Sequence, residues 1–331
     1  MRKKSEERVS SSTVDGIKKL LQSDENIFEM PSWYLSTGNY SLNYIISGDL
    51  NGGYCSGLVN ELFGDPSTGK TLLLMVAVAN MQKMGGITVV SDVERRWDWE
   101  FAKSCGVDLD QVIKRSPETV EEWTIETDKI LDMLLQHDPP HKALFVMDSV
   151  ASISTLWEME NVGTKEDQGK KAKRIKAAMR VIPKKLSRAG AILLTSNHLI
   201  ADPRIRYGSN QVTPGGKGIS FQASVRVEMY QPTPIILEGK NRPIGAILKM
   251  KAAKTSTCPP LGETEINVLW SKGINPYSGL LDMAVDLGIV KSAGGWYEYQ
   301  DKKYRANQIA DMVANGLMDD PTWKKPYFLE D

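Results

Sequence analysis

Apolar residues in this chain gather into short unbroken runs, separated by glycine-bearing turns and by longer stretches with helical spacing. Leu58-Val59-Asn60-Glu61-Leu62-Phe63 is short enough for a strand, and the run opening at Leu72-Leu73-Leu74-Met75-Val76-Ala77 is long enough for a helix, which Gly85-Gly86 closes. Ile87-Thr88-Val89-Val90-Ser91, Ala143-Leu144-Phe145-Val146-Met147 and Ala191-Ile192-Leu193-Leu194-Thr195-Ser196 predict further strands of the buried kind. Between them, 118–136 is an amphipathic helix carrying Trp123, Ile125, Ile130, Leu131 and Leu134, ended by His137-Asp138-Pro139-Pro140-His141. Residues 221–230 and 244–250 alternate apolar and polar positions, which predicts two more strands. After Gly273 the texture changes: 277–287 is helical, Trp296-Tyr297-Glu298-Tyr299 reads as a hairpin strand, and 305–317 is helical again. That tail is a small α+β appendage. At the other end, residues 1–12 are polar and serine-rich, a composition that favours disorder. Val14, Ile17, Leu20 and Leu21 then share one helical face, which either packs on its own core or docks on a neighbouring subunit.

Composition narrows the class without choosing a function. Of 331 residues, 41% are apolar and 25% charged, with a formal net charge of zero, so nucleic-acid binding has to come from a local patch. No apolar run reaches the roughly 18 residues a membrane helix needs. The charged N-terminus has no apolar segment behind it, so it does not read as a secretory signal. Cys55, Cys105 and Cys258 are far apart and odd in number, which fits reduced thiols better than a disulfide frame or a zinc site. His137 and His141 share a loop without other ligand candidates, which argues against a metal there.

The chemistry concentrates at Gly64-Asp65-Pro66-Ser67-Thr68-Gly69-Lys70-Thr71, placed between a strand and a helix. Gly64 and Gly69 let backbone N–H groups turn inward around phosphate oxygens, and the helix N-terminus adds unpaired donors. Lys70 offers a mobile charge to the β- and γ-phosphates, and the Thr71 hydroxyl can ligate Mg²⁺. This spacing predicts a nucleoside triphosphate site. Asp92-Val93-Glu94 stands at the end of the next strand, where α/β sheets place their chemistry, so Glu94 either activates a water or caps and solvates a turn. Asp148 ends a strand about 80 residues past the phosphate loop and fits a carboxylate that holds the metal opposite Thr71. Trp97, Asp98, Trp99 and Phe101 supply flat faces for a nucleobase or belong to the core.

Residues 165–188 are crowded with Lys and Arg against the two acids Glu166 and Asp167. Lys173, Lys176, Arg180 and Lys184 recur at steps of three and four, so they form one helical stripe suited to a phosphate backbone. Asn197-His198 is a polar pair at a strand tip, either sensing a γ-phosphate or, for His198, serving structure. The long loop at 199–218 carries Arg204, Arg206, Tyr207 and Gly215-Gly216-Lys217-Gly218.

Together these motifs resemble the bacterial RecA recombinase family. The similarity runs over 36–316 and includes Ser36-Thr37-Gly38, the phosphate loop, Asp92-Val93-Glu94, Gly106-Val107-Asp108, Met147-Asp148-Ser149, Gly215-Gly216 and Ser224-Val225-Arg226. The tail, Gly273-Ile274-Asn275-Pro276-Tyr277 through Ala293-Gly294-Gly295-Trp296-Tyr297, is its most diagnostic part. The resemblance implies an α/β fold: a RecA-type ATPase core at 36–272, a mostly parallel twisted sheet flanked by helices. An oligomerisation helix and linker at 1–35 and a small α+β domain at 273–331 complete it. It implies a DNA-dependent ATPase, using ATP and Mg²⁺, that forms helical filaments of itself on single-stranded DNA. Such filaments pair and exchange strands with homologous double-stranded DNA.

By position, the resemblance makes Glu94 the catalytic carboxylate, Asp148 the metal acid, and Phe101 and Asp98 the adenine contacts beside the phosphate-loop residues and Leu72. His198 stands where the family usually has glutamine, the switch between ATP and DNA. Residues 157–168 and 199–213 match the two DNA loops. Lys173, Lys176, Arg180, Arg204, Arg206, Gly215, Gly216 and Lys217 are the implied DNA contacts. Lys254 matches a lysine that reaches a neighbour's γ-phosphate. Its usual companion position is Ser256 here, so either Lys251 substitutes or one charge is missing. Single-strand-binding and loader proteins are further implied partners, no membrane is, and the implied location is the cytoplasm of a bacterium or an infected host. The short C-terminus, His198 and the altered lysine pair suggest a phage-encoded or divergent member. The rival readings are a hexameric motor or regulatory ATPase on the same core, and a mediator that binds DNA without catalysis.

Overall fold

The computed structural model describes residues 32–137, 139–162, 169–201, 211–214, 216–239 and 241–324. The amphipathic face at 14–21, the segment 202–210 and the chain beyond 324 lie outside them.

Among the described residues the principal sheet has ten strands. In chain order these are β1 (Val59–Gly64), β2 (Ile87–Asp92), β3 (Val112–Arg115), β4 (Ala143–Asp148), β5 (Ile192–Asn197), β6 (Val225–Met229), β7 (Thr233–Ile236), β8 (Pro243–Lys254), β9 (Glu263–Leu269) and β10 (Gly273–Ile274). The order across the sheet is β10-β9-β8-β6-β1-β5-β4-β2-β3, with β7 pairing on β8. From β6 to β3 every pairing is parallel. Beyond β6 the pairings are antiparallel.

The helices are α1 (Tyr40–Ser47), α2 (Lys70–Lys83), α3 (Trp99–Ser104), α4 (Val120–Leu134), α5 (Leu156–Glu160), α6 (Lys170–Ala189), α7 (Lys217–Gln222), α8 (Leu280–Asp286) and α9 (Ile309–Ala314). They cover both faces of the sheet, and the alternation of strand side chains decides which helix meets which residue. Leu144, Val146, Ile192 and Leu194 point into a core with Leu73, Leu74, Ala77 and Val78 of α2. Their neighbours Phe145, Met147 and Leu193 point the other way, onto Trp123, Leu131 and Leu134 of α4 and Ile175, Met179, Ile182 and Leu186 of α6. The continuous apolar runs are therefore a consequence of burial on both sides. Each such side chain is worth about 1.5–3 kcal/mol of transfer free energy.

The sheet edge continues into the C-terminal elements. A three-stranded antiparallel sheet, β11 (Lys291–Ala293), β12 (Trp296–Tyr299) and β13 (Lys302–Tyr304), follows α8. Tyr299, Tyr304, Met312, Leu317 and Trp323 belong to the same apolar cluster as α1 and α2. Trp323 meets Tyr44 edge-on, with ring centroids 5.2 Å apart, and its indole N–H donates to the Leu317 carbonyl.

Three elements differ from the sequence pattern. The run read as a strand at 221–230 is split: α7 ends at Gln222 and β6 begins at Val225. Packing of α7 on α6 wins there, because Gly218 lets the two backbones approach; a Cβ would sit 3.1 Å from Lys176 Cα. The helix expected at 305–317 is broken into two 3-10 turns around α9, since Gly316 adopts φ +90°. Part of the loop at 199–218 is ordered as the antiparallel pair Ile200–Ala201 with Gln211–Val212.

α1 is held by one buried side chain. Asn39 accepts from the Leu42 N–H as helix cap. Its amide group donates to the carbonyls of Asn275 and Ser278, each at 3.0 Å. It thereby ties the entry of the core to the loop after β10. We predict that Asn39→Ala lowers stability by about 2–4 kcal/mol, the loss of a cap plus two stranded carbonyls. Asn39→Asp would not rescue it, because a carboxylate would face those carbonyls. Urea unfolding of the three proteins checks this; unchanged midpoints would dismiss the node.

Candidate nucleotide site and nucleic-acid interface

The turn between β1 and α2 has the backbone that phosphate binding needs. Gly64 and Gly69 adopt φ +156° and +92°, and Ser67 takes φ +64° between them. A Cβ on Gly64 would lie 2.2 Å from the Met229 carbonyl, so only glycine fits against β6. The Lys70 ammonium is folded onto the loop, donating to the carbonyls of Gly64 (2.9 Å) and Asp65 (2.6 Å) and to the Thr68 hydroxyl. Burial pushes its pKa down, against the pull of Asp148, Glu94 and Asp65. An ammonium resting on carbonyls has much to gain from a phosphate.

Thr71 is the second residue of α2. Its hydroxyl donates to Asp148 Oδ2 at 2.9 Å, and the Ser196 hydroxyl donates to Asp148 Oδ1. Strand pairing sets Asp92 directly beside Asp148. Burial raises the pKa of Asp148; the two hydroxyls oppose this, while Glu94 and Asp92 add to it. A hydroxyl and a carboxylate short of compensating charge are the hard oxygen donors that Mg²⁺ prefers. The residues present therefore fit a nucleoside triphosphate with its divalent cation.

Glu94 lies just past the tip of β2. Its Oε1 accepts from Ser149 Oγ at 2.5 Å and Ser152 Oγ at 2.9 Å, and lies 2.9 Å from His198 Nε2. Burial alone would raise the Glu94 pKa, but the bonds from Ser149, His198 and Ser152 together carry it below the ordinary carboxylate value. His198 Nδ1 is buried and has no hydrogen-bond partner among the described residues. One residue earlier, Asn197 donates to Glu61 Oε1 at 2.9 Å, and Arg226 donates to the other oxygen of that fully buried carboxylate. Arg226 also lies over the Phe63 ring, 4.3 Å from its centre.

Sequence reasoning did not single out Ser149, Ser152, Ser196 or Glu61 as site residues, whereas it took Asn197 with His198 as a polar pair at a strand tip. Glu61 alone left a trace, as a charge inside a buried run. The aromatic group near β2 separates into two kinds. Trp97 is core, whereas Phe101 is 46% exposed, and Asp98 caps α3 by accepting from the Phe101 N–H.

The stripe on α6 is an exposed face. Lys173, Lys176, Arg180 and Lys184 are all exposed, opposite the buried Ile175, Met179, Ile182 and Leu186. Lys185 is not part of it; it bridges Asp128 and Asp132 of α4. Gly216 adopts φ +69° and starts α7, with Lys217 in its first position. Arg204, Arg206 and Gly215 lie outside the described residues. Lys254 donates to the carbonyls of Ser220 and Phe221, while Lys251 pairs with Glu263 at 3.0 Å. Ser256 donates to the Ser224 carbonyl. No described helix is long and apolar enough to cross a membrane.

A family profile described as the RecA N-terminal domain matches residues 15–275. Proteins named Protein RecA are similar over most of this chain. The one from Tropheryma whipplei (strain Twist) is 34% identical over 81% of this chain and 59% of its own length. That from Chloroherpeton thalassium is 30% identical over 85% of this chain and 75% of its own. That from Streptomyces venezuelae is 32% identical over 88% and 74%.

The two carboxylates titrate with opposite signs. Asp148, raised in the fold, favours folding below the ordinary Asp value, and that contribution is lost as pH rises through its folded pKa. Glu94, depressed in the fold, contributes above the ordinary Glu value and loses this as pH falls through its folded pKa. Asp148→Asn should thus stabilise the nucleotide-free protein at neutral pH by about 1 kcal/mol. It should also abolish the added stability that ATP with Mg²⁺ confers. Thermal unfolding with and without ATP and Mg²⁺ checks both; a destabilised, fully ligand-responsive variant would contradict the assignment.

Proposed function

The chain belongs to the RecA family, and from that premise we propose that it is an ATP-driven recombinase that polymerises on single-stranded DNA and pairs it with homologous duplex. The fold is that of a family of nucleotide-binding ATPases; strand exchange is our reading of the site. The observation that carries it is the bond between Glu94 and His198, because it joins the hydrolytic carboxylate to the strand tip that opens the 200–212 segment.

In this reading the phosphate loop binds the triphosphate, and Lys70 leaves its carbonyls for the β- and γ-phosphates. Thr71 and Asp148 hold Mg²⁺, which supplies charge neutralisation at the transferring phosphoryl group. Glu94 orients a water and takes its proton. The exposed cations of α6 hold polynucleotide through its phosphates, leaving bases free to pair. Lys254 belongs at the joint with the next copy, where a head-to-tail contact that does not close gives a helix. Lys251 is a poor substitute for the second cation, since Glu263 already neutralises it. Catalysis across the joint therefore rests on a single lysine.

We expect single-stranded DNA to raise the ATPase rate and helical filaments to form with a slowly hydrolysed ATP analogue. Glu94→Gln should lower kcat about 10²–10⁴-fold while filaments persist with ATP. Closed rings in electron micrographs would favour a motor on this core, and hydrolysis indifferent to DNA would end the recombinase reading. Separately, replacing Lys173, Lys176 and Arg180 with Ala should weaken single-strand binding and flatten its log–log salt slope by about 2. A titration against poly(dT) at several salt concentrations measures it; an unchanged slope would exclude this stripe.

A further inference from the structure

One polar row crosses the sheet on the face that α6 and α7 cover. Register puts Lys254 of β8 beside Arg226 of β6, Arg226 beside Glu61 of β1, and Glu61 beside Thr195 of β5. Val59 and Leu193, two residues before Glu61 and Thr195 on the same strands, belong to the α6 cluster, which fixes the face. Lys254 reaches it because the ladder skips Ala253, turning Lys254 away from the side of Ala252.

Glu61, in the middle of this row, is fully buried and shares its charge between two donors. Oε2 accepts from Arg226 and Oε1 from Asn197, whose own side-chain oxygen accepts from the His198 N–H at 3.0 Å. Thr195 is equally buried, yet its hydroxyl has no hydrogen-bond partner among the described residues. An orphaned hydroxyl in a core is a cost that folds seldom keep. This one lies directly across from a carboxylate that already has two partners, so it is a third donor held in reserve.

A charge at the end of the row is what calls on it. Lys254 and Arg226 are neighbours of like sign: burial first, and then Arg226, lowers the Lys254 pKa, against the pull of Glu61. That repulsion presses Arg226 onto Glu61. An anion settling on Lys254 cancels the push and attracts the guanidinium instead. The oxygen that Arg226 gives up has a buried hydroxyl beside it, so the carboxylate is not left short of a donor.

We propose that Thr195 is a positioning residue, the alternate partner for which Glu61 trades Arg226 when the γ-phosphate of a neighbouring copy's nucleotide meets Lys254. In the traded state Glu61 draws toward β5, Asn197 moves with it, and the His198 backbone follows through the Asn197 side-chain oxygen. His198 Nε2 then leaves Glu94 Oε1, and that carboxylate is free to activate water. Each copy therefore hydrolyses faster when its neighbour is loaded, which makes turnover cooperative in ATP. This rests on the reading of Lys254 as the joint residue and of Glu94 as the base.

The test is the ATP dependence of hydrolysis by the full chain on saturating poly(dT). The parent should give a sigmoidal curve with a Hill coefficient of about 2. Thr195→Val keeps the shape of the side chain and removes only the hydroxyl. It should bring the coefficient to about 1, with kcat at saturating ATP within about twofold of the parent. It should also unfold at the same or a higher temperature, because no hydrogen bond is lost from the nucleotide-free protein. Thr195→Ser, which keeps the hydroxyl, should restore the sigmoidal curve. A Thr195→Val curve as steep as the parent's, a parent curve without sigmoidicity, or a Thr195→Ser curve as flat as that of Thr195→Val would overturn the proposal. So would a lower unfolding temperature for Thr195→Val, since the hydroxyl would then be bonded already. If poly(dT) does not stimulate the parent, the recombinase reading fails and this proposal with it; stimulated hydrolysis without a Thr195 effect leaves that reading standing and removes only this route.

Discussion

Everything at the functional edge of this molecule follows from carboxylates being forced together. Parallel pairing of β2 on β4 sets Asp92 beside Asp148, and Glu94 follows two residues later. Two unit charges about 5 Å apart repel by about 3 kcal/mol at an effective dielectric of 20. Each acid escapes differently. Asp92 spends its charge on the backbone N–H groups of Arg96 and Trp97. Glu94 is quieted by two serines and a histidine. Asp148 has the hydroxyls of Thr71 and Ser196, and it is the one whose pKa rises. The acid with least relief is the one next to the phosphate loop, so a cation bound there would release the free energy stored in that edge.

The sheet also dictates how news can travel. α2, which begins at Lys70, packs on one face, and α6 with its cations packs on the other. The strands between them are rigid and buried on both sides, so a signal through the layer would need the core itself to yield. Strand tips are the cheaper route. Residues just beyond β4 and β5 reach round the edge and touch Glu94 from the α6 side. That geometry explains why polar side chains cluster at 149–152 and 196–198 while the strand bodies stay apolar.

What the sequence made legible follows the same division. Runs such as 143–147 and 191–196 announce themselves because burial on two faces leaves no polar position to confuse the period. The phosphate loop is legible because its glycines, lysine and threonine are consecutive in the chain. Residues 221–230 were misleading: the alternation there joins the buried Ala223, just past α7, to a true strand. Asn39 gave no signal of its tie across the fold, since the carbonyls it reaches lie more than 230 residues away. The contacts on Glu94 were equally hidden, because a serine past a strand is unremarkable until the fold shows which carboxylate it faces. Trp97 and Phe101 looked alike on paper and part ways only in burial.

The lysines on β8 show how far charge accounting can be taken. Three of them, Lys249, Lys251 and Lys254, come within six residues of one another. Glu263 on β9 takes the first two, at 3.3 and 3.0 Å, so their charge is largely spent inside the chain. Lys254 is different: its described partners are the neutral carbonyls that end α7, and burial together with Arg226 lowers its pKa, with Glu61 pulling the other way. A cation held by dipoles in a partly buried place is costly to keep and gains most when an anion arrives. Because Glu61 binds both Asn197 and Arg226, the tip that carries His198 and the strand that pairs with Lys254 share one buried network. A charge arriving beside Lys254 would therefore act on Arg226 and Glu61 through space, and from Glu61 on Asn197 at the tip that carries His198, with no movement of the apolar core required.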